Sequence, residues 1–296
     1  LGNTSNNFAT VVITSGRNVA ITDTNAIILG AATVSGTYGI TAGGAVTDSG
    51  TQEIAGVTTL VAGSSNDITL NTATNNFAAA VVITSGRNVS IIDEAAIDLG
   101  ASTVSGTYAV TATTGDITDS GNLAITGAAT FKTTAANSNI ILDSSNAFTS
   151  TVTMQAGDGT AAFGNITFVD SAAVRLHTSA ASAGDLYINA ATDGTVGGTL
   201  SITANGDITQ TVALAVAGTT TLAAGSSNDI TLGNTSNNFA TVVITSGRNV
   251  TLVDAGAIDL GASTVSGTYA VTATAGGDIT DSGVLAITGT STLTAA

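Results

Sequence analysis

His177 is the single histidine of a 296-residue chain, and around it stand Asp170, Arg175, Asp185 and Tyr187, the one stretch where ionisable groups of different kinds crowd together. Carboxylate, imidazole and phenol groups within reach of one another could form a general acid–base pair or a shallow glycan-binding groove. The same side chains on a drifted surface coil would simply be solvated, the ordinary fate of charged groups, and that reading is favoured. The five residues are glycan-binding candidates, and none is expected to be catalytic.

Two other sets recur with the sequence itself. Arg17, Arg87 and Arg248 each follow a glycine at one place in a repeated unit. They are expected to sit at coil corners, bonded to Asp or carbonyl groups of adjacent coils. With three coils between copies they would lie about 14 Å apart, too far to share one anion. Asp93, Asp98, Asp116 and Asp119, matched by Asp254, Asp259, Asp278 and Asp281, carry the oxygen ligands Ca²⁺ favours. Neither the Gly-Gly-x-Gly-x-Asp nonapeptide nor an EF-hand loop accompanies them, so they are read as turn residues with at most weak Ca²⁺ binding. No other cofactor or metal is expected: there is no Cys, no His-Glu-x-x-His, no Gly-x-Ser-x-Gly and no Lys after a Gly-rich loop.

The elements that position these residues follow from repetition. Leu1 to Val19 recurs residue for residue as Leu232 to Val250, and a close variant runs from Leu70 to Val89. Phe8, Phe77 and Phe239 correspond, as do Tyr38, Tyr108 and Tyr269. Such spacing sets a unit of about 70 residues. The units run approximately over 1–69, 70–142, 143–231 and 232–296 within one continuous segment, the third being longer and degenerate. Asn66-Asp67-Ile68-Thr69-Leu70, Arg87-Asn88-Val89-Ser90-Ile91 and Gly115-Asp116-Ile117-Thr118 each place a polar turn before an alternating strand. Three coils of roughly 23 residues per unit follow, about 13 coils in all. The paired Asn6-Asn7, Asn75-Asn76 and Asn237-Asn238 are expected to bond along the axis and to hold left-handed turns.

Composition agrees with short strands and tight turns. Of 20 acidic residues only Glu53 and Glu94 are Glu, and Lys132 is the sole Lys, whereas a helical chain would lean on both. Thr, Val, Ile and Ala fill the runs between Gly, Asn, Asp and Ser, as in strands closed by turns. Tandem Ig-like sandwiches would need about 100 residues each and usually a core Trp. The unit here is shorter, and the chain has no Trp and no Pro. The fold expected is therefore all-β, a parallel β-helix or β-solenoid. A net charge of −15 with five scattered basic residues excludes nucleic acid and disfavours anionic membrane surfaces. No apolar run is long enough to insert in a membrane.

The Asn-Asp-Ile-Thr-Leu starts, Thr-Ser-Gly-Arg-Asn-Val segments and Gly-Asp-Ile-Thr-Asp-Ser-Gly turns resemble the repetitive right-handed β-helix regions of filamentous-haemagglutinin-type exoproteins. The resemblance implies a secreted bacterial protein of the extracellular space or cell surface, its solenoid serving as the shaft of a fibre or adhesin. The expected partners are further coils of itself, by continuation or end-to-end stacking, and cell-surface glycans or neighbouring cells. Two other functions compete: a β-helix protein that degrades or binds polysaccharide, and an ice-binding solenoid. The latter would present regular Thr rows, but Thr-x-Thr does not occur once per coil. A non-enzymatic structural role ranks first.

Overall fold

The structure, a computed structural model, describes residues 1–158, 163–177, 184–188 and 195–296. It forms two compact units, Leu1–Ser150 and Thr151–Ala296. Among the described residues every regular element is a β-strand, and no helix is long and apolar enough to cross a membrane. The expected parallel β-solenoid is what the chain builds.

In the first unit each strand pairs in parallel with the equivalent strands of neighbouring coils. Val19–Asp23, Tyr38–Ala42, Thr58–Val61 and Val81–Ser85 stack as one column. Val46–Asp48, Ile68–Leu70, Val89–Asp93, Tyr108–Ala112 and Ala129–Thr133 stack as a second, joined below by the first half of Ile27–Val34. The second half of Ile27–Val34 begins a third column with Gln52–Ile54 and Asn76–Phe77. Alternation explains why these sequences become strands. Ile21, Ile40, Leu60 and Ile83 point inward and are buried, while Thr22, Thr41, Thr59 and Thr84 alternate with them toward the outer surface. The absence of Pro leaves every residue its ladder donor. Tyr108, Phe131 and Phe148 meet edge to face in the interior, at ring separations of 5.8 Å and 6.0 Å, a favoured geometry for aromatic pairs.

The pairing register corrects the coil length. Val46, Ile68, Val89, Tyr108 and Ala129 follow one another in a single column. Their mean step is about 21 residues, shorter than the expected coil. One repeat therefore covers three coils and part of a fourth. Val19 lies in the first column, whereas its equivalent Val89 lies in the second. Val11 likewise pairs Leu29 in the second column, while its equivalent Val81 pairs Thr58 and Leu99 in the first. The second repeat is thus rotated by one face relative to the first. Arg17 and Arg87, just ahead of Val19 and Val89, stand at corners of different faces and form no row.

The second unit repeats this plan, with Ile208–Gln210, Ile230–Leu232, Val250–Asp254, Tyr269–Ala273 and Ser291–Ala295 stacked in parallel. One coil departs from it. Ile166–Asp170 pairs directly with Leu200–Ala204, a step more than half as long again as the ordinary coil. The extra length includes Asp185–Ile188, which pairs on one side with Val152–Gln155 and on the other with Val174–Leu176, out of chain order.

Candidate functional site

The inserted strand brings four of the five candidates together. Arg175 pairs in register with Asp185, and the His177 N–H donates to the Leu186 carbonyl at 3.2 Å, continuing the ladder toward Tyr187. Val174, Leu176, Leu186 and Ile188 are buried in the core. Alternation therefore turns Arg175, His177 and Tyr187 to the outer surface, with Thr153 and Thr209 in register beside Tyr187 and Arg175. Nε of Arg175 donates to Asp185 Oδ1 at 2.6 Å, and Nη2 forms an ion pair with the same oxygen at 2.6 Å. The Asp185 side chain is fully buried while that of Arg175 stays 41% exposed.

Asp170 is not part of this group. It closes Ile166–Asp170, in register with Ala204 in a different column, and its carbonyl accepts the Asn205 N–H. In the repeat it occupies the position of Asp23, Asp93 and Asp254. At those three positions the carboxylate accepts the backbone N–H of Phe8, Phe77 and Phe239 at 2.7–2.8 Å, and Asp93 and Asp254 also accept an N–H two residues on. The bond to the N–H two residues on is an Asx turn and the bond to the Phe N–H ties that turn to an earlier segment, so at Asp93 and Asp254 the position is structural.

The other polar landmarks are engaged between coils in the same way. Arg87 grips Asp67 through Nε and Nη2, both at 2.8 Å. Arg248 grips Asp229 at 2.7 Å and 2.8 Å. These bidentate pairs fill the corner role expected of Arg87 and Arg248, whereas the Arg17 side chain makes no such pair among the described residues. Asp67 and Asp229 also accept the N–H of Asn88 and Asn249, whose own Oδ1 atoms accept the N–H of Thr107 and Thr268 one coil further on. Asn75 and Asn237 are fully buried and bond along the axis: Oδ1 accepts the N–H of Gln52 or Leu214, while Nδ2 donates to Asp48 or to Gln210 and the Val253 carbonyl. Their expected left-handed backbone is not found; among the described non-glycine residues only Asn137 has a positive φ. Asp116, Asp119 and Asp259 bond to Asn139, Asn146 and Ser282. Among the described residues no three acidic or imidazole side chains converge where they could hold a metal ion.

These repeated polar positions lie within four matches to a single family model, over residues 16–84, 86–155, 183–246 and 247–296. The chain belongs to the family of repeats of unknown function, DUF5649. No curated protein and no solved structure matches it. Residues 156–182 fall between two DUF5649 matches, and they hold Arg175 and His177. Aligning Ser171–Leu176 with Glu94–Leu99 shows what changed: Arg175 takes the place of Asp98, and His177 that of Gly100. A charge reversal relative to Asp98 and Asp259 is the sequence signal that sets this coil apart from the second and fourth repeats.

The corner pairs lead to a testable titration. Hydrogen bonds from Arg87 and Arg248 hold the Asp67 and Asp229 carboxyls down at about 2, below the ordinary 3.8, because they favour the charged form. Burial acts oppositely on Asp93 and Asp119 and raises them, with Glu53 and Glu94 adding to the effect on Asp93. A depressed Asp contributes stability that is present above its unfolded value and lost as pH falls through its folded one, so the corner pairs weaken only between about 4 and 2. A raised Asp gives the reverse slope: protonation near its raised value favours the folded chain. Stability should therefore hold or rise from pH 7 to about 4.5 and fall only below about 3.5. Urea midpoints across that range, with carboxyl titration by NMR, check this; a midpoint already falling between pH 7 and 5 would contradict it.

Proposed function

We propose that this DUF5649 repeat is the structural shaft of a secreted bacterial fibre or adhesin of the filamentous-haemagglutinin type, giving reach and stiffness at the cell surface. One observation carries the reading. The polar side chains that recur from repeat to repeat, Asp93 and Asp254, Asn75 and Asn237, Arg87 and Arg248, all bond to neighbouring coils. Residues whose recurrence is explained by coil-on-coil bonding specify a stackable unit, and a stack of such units is a rod whose length scales with copy number. The rod's principal partner is then itself, through further coils or end-to-end stacking. Neither an enzymatic step nor a cofactor is required, and nucleic acid or membrane insertion has no part in it.

Electron microscopy of the full-length material from its producing cells tests this. Slender fibres with an axial spacing of about 4.8 Å are expected, at the cell surface by immunogold labelling and unchanged by a calcium chelator. Compact particles confined to the cell interior would overturn the proposal, and dissolution on chelation would overturn its cofactor-free form.

A further inference from the structure

The Asp185–Ile188 insertion changes both the pairing and the surface chemistry of one coil. Among the described residues the other arginine pairs, Arg87 with Asp67 and Arg248 with Asp229, engage both carboxylate oxygens across a corner, with the acid part exposed. Arg175 instead sets both Nε and Nη2 against one oxygen of a carboxylate with no exposed surface, Nε as a hydrogen bond and Nη2 as an ion pair. A guanidinium has five N–H donors, so three remain without a protein acceptor among the described residues, on a side chain 41% exposed. Asp185 lies in register beside Arg175 on the same strand face and fixes the guanidinium from the side. Next along the ladder come His177 and Tyr187, with the Thr153 hydroxyl beyond.

We propose that Arg175, Tyr187 and His177 form a binding site for a carboxylated sugar, a uronate unit of an acidic polysaccharide. The planar fork of Arg175 matches a carboxylate in a way that a diffuse positive charge would not. Tyr187 offers an apolar ring face with a polar tip, suited to lie against a sugar ring, while His177 and the flanking Thr153 and Thr209 provide groups for its hydroxyls. Three adjacent strands span about 10 Å, room for one or two sugar rings. The chain's charge of −15 repels polyanions elsewhere, so capture depends on this one oriented cation. The inference does not rest on the shaft: a rod without this site and a site on a shorter particle are separate outcomes of separate experiments.

Calorimetric titration of the chain with a defined oligogalacturonate tests it, with a neutral oligosaccharide of equal length as control. Saturable binding at micromolar to millimolar oligogalacturonate is expected, weakening with added salt. Arg175→Gln would strand the buried Asp185 charge and could unfold the coil, so Arg175→Lys, which keeps the charge but loses the fork, is the primary variant, with Tyr187→Ala as the second. Each should weaken binding about tenfold with an unchanged circular dichroism spectrum. Absence of saturable binding, equal binding of the neutral sugar, or affinity within twofold of the parent in both variants would overturn the proposal.

Discussion

Replacing Gly127 with Ala should lower stability by about 2–4 kcal/mol, a large cost for adding one methyl group. A Cβ at this position would overlap both the backbone carbon and the oxygen of Gly106, one coil away. Those atoms belong to the bonded stack, because the Gly127 N–H donates to the Gly106 carbonyl at 3.0 Å. The obstruction is backbone, so no side chain can swing aside; the two coils must separate at the corner or the corner must unfold. The close approach recurs where Gly56 stacks on Gly36 and Gly289 on Gly267. Gly233→Ala is the control, since a Cβ there meets nothing within 4 Å. Its effect should stay within about 0.5 kcal/mol. In a stacked repeat the damage need not spread as one transition. Urea unfolding should therefore be paired with hydrogen exchange, which should show loosened amides in the coils flanking Gly106 and Gly127. Equal stabilities for the two variants would mean that the corner has room which this packing denies.

Such corners explain what the sequence does and does not disclose. The strands are legible because Val, Ile and Leu alternate with Thr or Ala in runs such as Tyr108–Ala112. Parallel stacking follows from a repeat too short for a sandwich. The coil length is not legible, because two kinds of corner resemble one another. Asp67 and Asn88 both precede strands of the second column, and the interval between them is one true coil. Gly115-Asp116 carries the same polar signature but precedes Ile117, which pairs with Ile97 in the first column, so the longer gap that leads to it is a coil plus a face. Only pairing distinguishes them. The candidate site is half legible: the crowding of ionisable groups around His177 is visible, and so is the Asp98-to-Arg175 exchange once the copies are aligned. That Asp185–Ile188 slots back between earlier strands is not visible, because so short an alternating segment carries no record of which edges it will pair.

Gln52→Leu should cost about 1–3 kcal/mol alone, yet the same change made together with Ala32→Ser should leave the chain at least as stable as the parent. The reason lies in how different repeats satisfy one buried carbonyl. In the second repeat Ser102 Oγ donates to the Gly100 carbonyl at 2.8 Å and accepts the Ile83 N–H at 3.2 Å. Ser263 makes the matching bonds to Gly261 and Ile244. The first repeat has Ala32 at that position, and Gln52 of the next coil reaches back instead, its Nε2 donating to the carbonyls of Gly30 at 2.8 Å and Gly50 at 2.7 Å. Where serine is present, the position of Gln52 holds Leu123 or Leu285. The glutamine is the poorer solution, since its Oε1 is buried without a partner. The hydroxyls of Tyr38, Tyr108 and Tyr269 are all buried short of a full hydrogen bond, but they do not have the same neighbours. Burial pushes the Tyr269 hydroxyl up to about 12 with Ser263 opposing, whereas burial acts alone on Tyr38. A serine at 32 would place a hydroxyl beside Tyr38 as well as on the Gly30 carbonyl. Leu in place of Gln52 removes the orphaned oxygen and fills the space as Leu123 does, fully buried. A double-mutant cycle read by urea unfolding should therefore return a favourable coupling of about 1–2 kcal/mol between positions 32 and 52. Simple additivity would show that the two arrangements are not alternatives for one bond.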